Sequence, residues 1–354
     1  MSTPFPPRGA VPLLPTLRPG CFHLGIEPLP TDTPVYCEDT SDPVDIFGFR
    51  AYRVLHSEQT DFQNVLIADL VNLGRALFLD GVLQSSEYDE ALYHESLVQP
   101  ALLALDNPRD VLIIGGGEGA TLRESLSHPC VKKVTMVDID PKVVAACEKH
   151  LPTWHRNGFR DPRAKVVHTD GRAFVENDDS FYDLAIIDVV DMFDNGPAQR
   201  IYTKQFYQHL KKRLRPNGIV VVQGMEFSHV DFQQHSALVR TLRTVFPQVH
   251  SYQVAIPSFL SPWGYVIASD WFDPRDWTPS RWDARLAKRL GQDALQHLDG
   301  DFISRSFMLC KETRRLLAMP GLVLSDDEKY IHPTEVEDIT ESLPVYPARK
   351  EQKR

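Results

Sequence analysis

Carboxylates stand at, or just beyond, the ends of successive apolar segments in the middle of the chain. They are Glu118 after "VLII", Asp138 in "KVTMVDI", Asp170 after "AKVVH", and Asp188 and Asp191 in "DLAIIDVVD". For any one of them alone, an N-cap or turn role is the simpler interpretation, and Asp140 beside Pro141 is predicted to be a cap. Acids at four successive strand ends would repel one another unless a cation or a hydroxyl-rich ligand lies between them.

Asp188 and Asp191 are close enough in sequence to act on one amine. An alkylamine has a pKa near that of lysine, about 10.4, so it is protonated at neutral pH and is not a nucleophile. A transfer enzyme must hold the ammonium and then remove a proton, and two carboxylates on one loop can serve as base and anchor. The alternative is a capped, solvated loop.

The segment "VLIIGGGEGATLRE" resembles a phosphate-binding glycine loop, but it carries an acid. Glu118 would cost several kcal/mol beside a pyrophosphate and would help beside an ammonium or sulfonium. Asp138, at the end of the next strand, is placed to accept both ribose hydroxyls of a nucleoside. That position alone does not distinguish a nicotinamide cofactor from adenosylmethionine.

The elements that must position these acids form a strand–helix alternation. Apolar strands alternate with amphipathic helices predicted at 119–127, 141–150, 203–214 and 231–246, and two further strands close the series. This pattern predicts an α/β fold, with a mainly parallel seven-stranded sheet whose ligands bind beyond the carboxyl ends of the strands. Earlier come three β-prone runs ("FRAYRVLHSE", "FQNVLIADL", "RALFLDG") and the helical "DEALYHESLVQPALLAL". We predict a proline-rich arm (1–43), a small antiparallel β-domain (44–86), a catalytic domain (87–340) and a solvated tail (341–354).

Composition limits the class of protein. The 354 residues carry a net charge of −10 and five scattered cysteines without CxxC spacing. No run approaches the about 20 apolar residues of a membrane span, and the N-terminus does not look like a secretion signal. We therefore expect a cytoplasmic protein with reduced thiols that binds cationic small molecules and neither nucleic acid nor membrane. The segment "YHES" lacks the second histidine of a zinc motif, and no metal site is predicted.

Across about residues 45–335, the chain resembles the polyamine aminopropyltransferases, the spermidine synthase family. The resemblance rests on motifs in the order and spacing of that family: "LFLDGVLQSSEYDEALYHESLVQPAL", "VLIIGGGEGATLRE", "VTMVDIDPKVV", "DGRAF", "YDLAIIDVVD", "YTKQFY" and "IPSFLSPWGY". It implies a small N-terminal β-domain, a methyltransferase-like Rossmann domain and a homodimer or homotetramer. It also implies transfer of an aminopropyl group from decarboxylated S-adenosylmethionine, a co-substrate, to an amine, with no cofactor.

The resemblance also implies roles for individual residues. Asp188 matches the catalytic base. Donor-binding positions are Gln63, Gly115, Gly117, Glu118, Asp138, Asp170 and Gly171, with Glu118 on the donor's ammonium, Asp138 on the ribose and Asp170 on the adenine amino group. Acceptor-binding positions are Gln84, Tyr93, His94, Asp191, Gln223, Phe259 and Trp263, although a core role for Trp263 is an equal alternative. Because ordinary S-adenosylmethionine brings its own carboxylate, Glu118 is also predicted to select against methyl transfer.

Two departures from the family pattern leave the acceptor open. "DVVDMFDNGPA" has Val189 and Val190 between the acids, and Phe259 stands where a tyrosine often touches putrescine. Glu118, "WHRNGFRDPR" and "YIHPTEVEDI" resemble members that act on agmatine or longer triamines, or thermospermine-type members. The alternatives are an S-adenosylmethionine-dependent amine N-methyltransferase, a non-catalytic polyamine-binding protein and, more distantly, a nicotinamide oxidoreductase.

Overall fold

A small antiparallel sheet begins the described structure. The computed structural model describes residues 35–39, 46–192, 197–228, 232–328 and 330. The five strands of the small sheet pair in sequence order. They are β1 (Val35–Asp39), β2 (Ile46–Gln59), β3 (Asn64–Leu70), β4 (Gly74–Leu79) and β5 (Val82–Ser86). The three predicted β-runs correspond to β2, β3 and β4.

The first strand falls inside the segment predicted to be a loosely packed arm. Val35 pairs with Arg50 and Asp39 with Ile46, so β1 extends the sheet beyond β2. The sheet therefore begins before residue 44, because pairing with a long neighbouring strand overrides the weak local preference of a proline-rich segment. The rest of the arm and the tail at 341–354 lie outside the described residues.

The second sheet has seven strands in the order β11-β12-β10-β9-β6-β7-β8. They are β6 (Asp110–Gly115), β7 (Lys133–Asp138), β8 (Ala164–His168), β9 (Tyr182–Asp188), β10 (Leu214–Glu226), β11 (Gln248–Ile256) and β12 (Ser261–Ser269). Strands β6 to β10 pair in parallel, and β12 is antiparallel to both of its neighbours. The predicted fold class is confirmed, and the strand order reverses between β6 and β9, where ligands bind in such sheets.

Helices cover both faces of this sheet. They are α1 (Glu90–Ala104), α2 (Ala120–Leu126), α3 (Pro141–His150), α4 (Pro152–His155), α5 (Gly171–Asn177), α6 (Lys204–Arg213), α7 (Gln233–Arg243), α8 (Pro279–Arg289), α9 (Gly300–Ser306) and α10 (Lys311–Ala318). Successive residues of β6 point to opposite cores: Ile113 packs on the side of α1 and α2, and Leu112 on the side of α6 and α7. Burial on both faces explains the unbroken apolar runs of the strands.

The small sheet packs against α3 and α4 of the large domain. Val65, Ile67 and Leu77 share a core with Val143 and Trp154. The indole Nε1 of Trp154 also donates a hydrogen bond to Ser85 Oγ at 2.7 Å. Within the part of the chain that is described, no helix has the length and apolar character needed to cross a membrane.

Candidate active site

One cavity of about 420 Å³ lies at the carboxyl ends of β6, β7, β9 and β10, below the small sheet. All predicted site residues except His94 line it: Gln63, Gln84, Tyr93, Gly115, Gly117, Glu118, Asp138, Asp170, Gly171, Asp188, Asp191, Gln223, Phe259 and Trp263. The five strand-end carboxylates therefore face a single space. The parallel sheet places them there because its strand ends meet at one edge.

The glycine loop follows β6 and permits close approach between strands. Gly115 has φ +83°, and a Cβ there would lie 2.1 Å from the backbone oxygen of Asp188. That oxygen accepts a hydrogen bond from the Gly116 N–H at 2.9 Å. A Cβ on Gly117 would lie 2.7 Å from Asp138 Oδ2. Glycine at these positions lets the loop pack directly against both acids.

His94 contacts Glu118 on the side away from the cavity. The Nε2 of His94 forms a close ion pair with Glu118 Oε1, and its Nδ1 lies 2.6 Å from the backbone oxygen of Glu90. Burial opposes charge on the ring, but the carboxylates of Glu118 and Glu90 outweigh it and raise the pKa of His94 to about 10. Burial raises the pKa of Glu118, and the His94 imidazolium opposes that shift. The Oε2 atom of Glu118 is buried without a hydrogen-bond partner, beside the cavity.

His94 itself does not reach the cavity, which differs from the prediction that it contacts the acceptor. Its side chain is 1% exposed, and both ring nitrogens face Glu118 and Glu90. Tyr93, the preceding residue on α1, does line the cavity. Adjacent residues of a helix point about 100° apart, and here Tyr93 faces the cavity while His94 faces Glu118 and Glu90.

Asp138 and Asp170 occupy the neighbouring strand ends. Burial raises the pKa of Asp138 to about 6, against the backbone N–H of Asp140, which donates to its Oδ1 at 2.9 Å. Asp170 lines the cavity and also caps α5 by accepting the Ala173 N–H at 2.7 Å. Asp170 can therefore cap α5 and also accept a hydrogen bond from a ligand, since a carboxylate offers several acceptor sites.

Gln63 reaches the site from the turn between β2 and β3. The side-chain amide of Gln63 donates to Asp140 Oδ2 at 3.3 Å, and the hydroxyl of Thr60 donates to the same atom at 2.6 Å. Asp140 also caps α3 by accepting the Lys142 N–H at 3.0 Å, as predicted. The small sheet is thus tied to the α3 terminus that follows Asp138. Gln84, from β5, donates to Val82 O at 3.2 Å.

Asp188, at the end of β9, accepts a hydroxyl on each carboxylate oxygen. Tyr93 Oη donates to Oδ1 at 3.2 Å, and Thr121 Oγ1 donates to Oδ2 at 2.5 Å. Thr121 was not predicted. It is the last letter of "GGGEGAT", and no spacing rule shows that a side chain after a glycine loop will turn toward a strand 67 residues later.

Asp191 is held by Gln223, at the end of β10. The amide nitrogen of Gln223 donates to Asp191 Oδ1 at 3.1 Å, and its oxygen accepts the indole N–H of Trp263 at 3.2 Å. Tyr202, also missed in the sequence, lies 2.8 Å from the same amide nitrogen. Phe259 packs between Trp263 and Tyr93, with ring centroids at 4.7 and 5.8 Å. Trp263 is therefore a wall of the cavity as well as a packing residue.

A bulge in β10 presents Gln223. Pairing with β12 shifts between Gln223 and Glu226, and Met225 there has φ +63°. The Met225 N–H donates to Gln223 Oε1 at 3.0 Å. The bulge ends regular pairing and turns the glutamine toward Asp191. Among the described residues, no group of three or more His, Cys, Asp or Glu side chains is arranged to hold a metal ion.

Comparisons with known proteins agree with the resemblance that the sequence motifs indicated. Residues 90–274 match the family described as "Spermine/spermidine synthase domain", and residues 39–87 match "Spermidine synthase tetramerisation domain". The chain is 54% identical to polyamine aminopropyltransferase 2 of Pseudomonas aeruginosa, over 92% of this chain and 94% of the relative. It is 42% identical to polyamine aminopropyltransferase 2 of Hyperthermus butylicus, over 75% and 87% of the two chains.

Solved structures agree. A spermidine synthase in complex with the transition state analogue AdoDATO superposes with a TM-score of 0.74 and 29% identity, covering 80% of this chain and 94% of that one. The spermidine synthase of Thermotoga maritima gives a TM-score of 0.71, also at 29% identity and with the same coverage of both chains.

The fold and these relatives define a transferase built on a methyltransferase-like Rossmann domain. The chain belongs to the spermidine synthase family, and its activity is that of a polyamine aminopropyltransferase. The predicted family and enzyme class are confirmed. The comparisons give no support to a methyltransferase or to a non-catalytic binding protein.

Proposed function

We propose that this enzyme transfers the aminopropyl group of decarboxylated S-adenosylmethionine to a small cationic amine and releases methylthioadenosine. The observation that carries the proposal is the convergence of five carboxylates on one cavity of about 420 Å³. Such a cluster is costly unless cationic ligands occupy the space between the acids. Both proposed substrates supply positive charge.

The donor lies along the glycine loop in this proposal. Asp138 accepts the ribose hydroxyls, Asp170 accepts the adenine amino group, and Gln63 covers the nucleoside from the small sheet. Glu118 pairs with the donor's ammonium, and its buried, unpartnered Oε2 supports this role. Ordinary S-adenosylmethionine would bring a carboxylate toward Glu118, and like charges in a buried site are repelled strongly.

Asp188 is the base. The acceptor binds as an ammonium, and Asp188 takes one of its protons, so the amine nitrogen gains a free electron pair. The nitrogen then attacks the donor methylene next to the sulfonium. A C–N bond forms, the C–S bond breaks, and its electron pair remains on sulfur in neutral methylthioadenosine. Rate comes chiefly from holding both substrates and the base in line.

The acceptor is putrescine, agmatine or spermidine. Asp191 anchors its ammonium, with Gln223 fixing the carboxylate. Gln84, Tyr93, Phe259 and Trp263 line the acceptor end, together with the apolar Val189 and Val190. This apolar wall suits a methylene chain between charged ends, because packing CH₂ groups against apolar side chains removes both from water.

We also propose a homodimer or homotetramer. The match of residues 39–87 to a tetramerisation domain supports assembly through the small sheet. The net charge of −10 favours cationic partners over nucleic acid.

A two-donor assay tests the function. The protein is incubated with decarboxylated or ordinary S-adenosylmethionine and with putrescine, agmatine or spermidine, and products are read by mass. We expect methylthioadenosine and an aminopropylated amine from the decarboxylated donor alone. S-adenosylhomocysteine from the ordinary donor would contradict the proposal, as would the absence of product with every acceptor.

A further inference from the structure

Asp188 is held by groups from two different helices. Tyr93 comes from α1 and Thr121 from the first turn of α2, and their hydroxyls donate to opposite oxygens of the carboxylate. Two bonds to two oxygens fix both the direction and the plane of the group. Each oxygen has about two acceptor sites, so each retains one for a substrate.

Burial and hydrogen bonds hold Thr121 in this position. Its side chain is fully buried, and its backbone oxygen accepts the Ser125 hydroxyl at 2.9 Å. The hydroxyl of Thr121 lies 2.5 Å from Asp188 Oδ2. The backbone approach of Gly116 to Asp188 at 2.9 Å keeps α2 and the end of β9 together. A packed threonine with one hydroxyl contact has little freedom to point elsewhere.

A neutral hydroxyl suits this task better than a cation. Lys or Arg would also hold the carboxylate, but its charge would oppose binding of a cationic amine and donor at the same place. A hydroxyl donates one hydrogen bond and leaves the net charge of the site unchanged.

We propose that Thr121 is a positioning residue, whose hydroxyl fixes the plane of the Asp188 carboxylate for proton removal from the acceptor. This inference rests on the proposed role of Asp188 as base. Thr121 need not touch either substrate, and it does not line the cavity.

Removal of the hydroxyl should lower the rate and leave substrate binding unchanged. We expect Thr121→Val, which keeps the shape, to lower kcat by about tenfold to a hundredfold, the range for losing a hydrogen bond to a charged group. The KM values of donor and acceptor should stay within about twofold, since binding contacts are unchanged.

Thr121→Ser is the matched control, because it keeps the hydroxyl, and it should restore the rate. If the valine variant does not fold, Thr121→Cys, a weak donor of similar size, replaces it and should show the same loss of kcat at unchanged KM.

Two results would overturn the inference. A wild-type kcat in Thr121→Val, or in Thr121→Cys where it replaces that variant, overturns the inference. Equal losses in the valine and serine variants, with lowered melting temperatures, show a packing role and also overturn it. Failure of the proposed function would be seen in the wild-type protein itself, which would then release no methylthioadenosine.

Discussion

At the residue scale, the two acids at the end of β9 differ in what holds them. Asp188 accepts two hydroxyls and sits against the glycine loop, whereas Asp191 accepts the amide of Gln223. The two hydroxyls fix the orientation of Asp188, and Gln223 fixes Asp191 near the apolar wall of Phe259 and Trp263. We therefore expect neutralisation of Asp188 and of Asp191 to change different kinetic parameters.

Asp188→Asn should nearly abolish turnover, by on the order of a hundredfold to ten-thousandfold, because an amide cannot accept the proton. Donor binding, measured by titration calorimetry, should remain. Asp179→Asn, at a fully exposed side chain, is the matched control and should keep the wild-type rate. A wild-type rate in Asp188→Asn would remove the base assignment.

Asp191→Asn should mainly raise the KM of the acceptor, by about tenfold or more, since a hydrogen bond to a charged group is lost. The KM of the donor should change little. Steady-state kinetics with each substrate varied in turn checks this. An unchanged acceptor KM would count against the anchoring role.

At the element scale, the turn between β2 and β3 is docked on the N-terminus of α3. Thr60 is 5% exposed, and besides donating to Asp140 it accepts the backbone N–H groups of Phe62 and Gln63, each at 3.0 Å. Phe62 and Gln63 both line the cavity. One threonine thus shapes the turn and joins it to the helix cap next to Asp138.

Thr60→Val should raise the KM of the donor by roughly threefold to tenfold, because net losses of about 1 kcal/mol per hydrogen bond loosen this wall. The kcat value at saturating substrate should be nearly unchanged, and Thr60→Ser should restore the wild-type KM. Fluorescence or calorimetric titration with the donor gives a second readout. A change confined to the acceptor KM would contradict the docking role.

At the scale of the whole molecule, a buried ion network joins α1 to α2 beneath the site. Glu118 pairs with His94, which faces Glu90, and Glu90 receives a bidentate pair from Arg123 at 2.9 and 3.0 Å. Arg123 continues to Glu124 at 2.9 Å. Burial opposes each charge, and the opposite charges around it stabilise it.

The network predicts a pH-dependent stability. The pKa of His94 rises from 6.5 to about 10 on folding, so its contribution is complete below 6.5 and disappears as the pH rises through 10. Urea unfolding of wild type and His94→Gln should therefore show the variant less stable, with the largest difference below 6.5 and a shrinking one toward 10. Replacement of the exposed His168 by Gln is the control. A difference that stays constant with pH would contradict a charged His94.

Much of the fold and most of the cavity wall could be predicted because they follow from local rules. Apolar runs and helical spacing located β6 to β12 and the helices α1, α2, α3, α5, α6 and α7, and the parallel sheet then required that Glu118, Asp138 and Asp188 share an edge. The helices α4, α8, α9 and α10 were not predicted. For α8 the local signals were present, because Thr278 caps it, Pro279 opens it, and Trp282 and Leu286 are buried at helical spacing.

Sequence motifs predicted the glycine loop and the strand-end acids that line the cavity, and they predicted the family. How those groups are held, and that His94 lies behind Glu118, depends on packing between distant elements. Thr121 meets Asp188 across 67 residues, and His94 turns to Glu118 while Tyr93 turns to the cavity. The reason is physical: backbone periodicity sets where a side chain starts, but the packing of distant elements sets what its polar atoms touch.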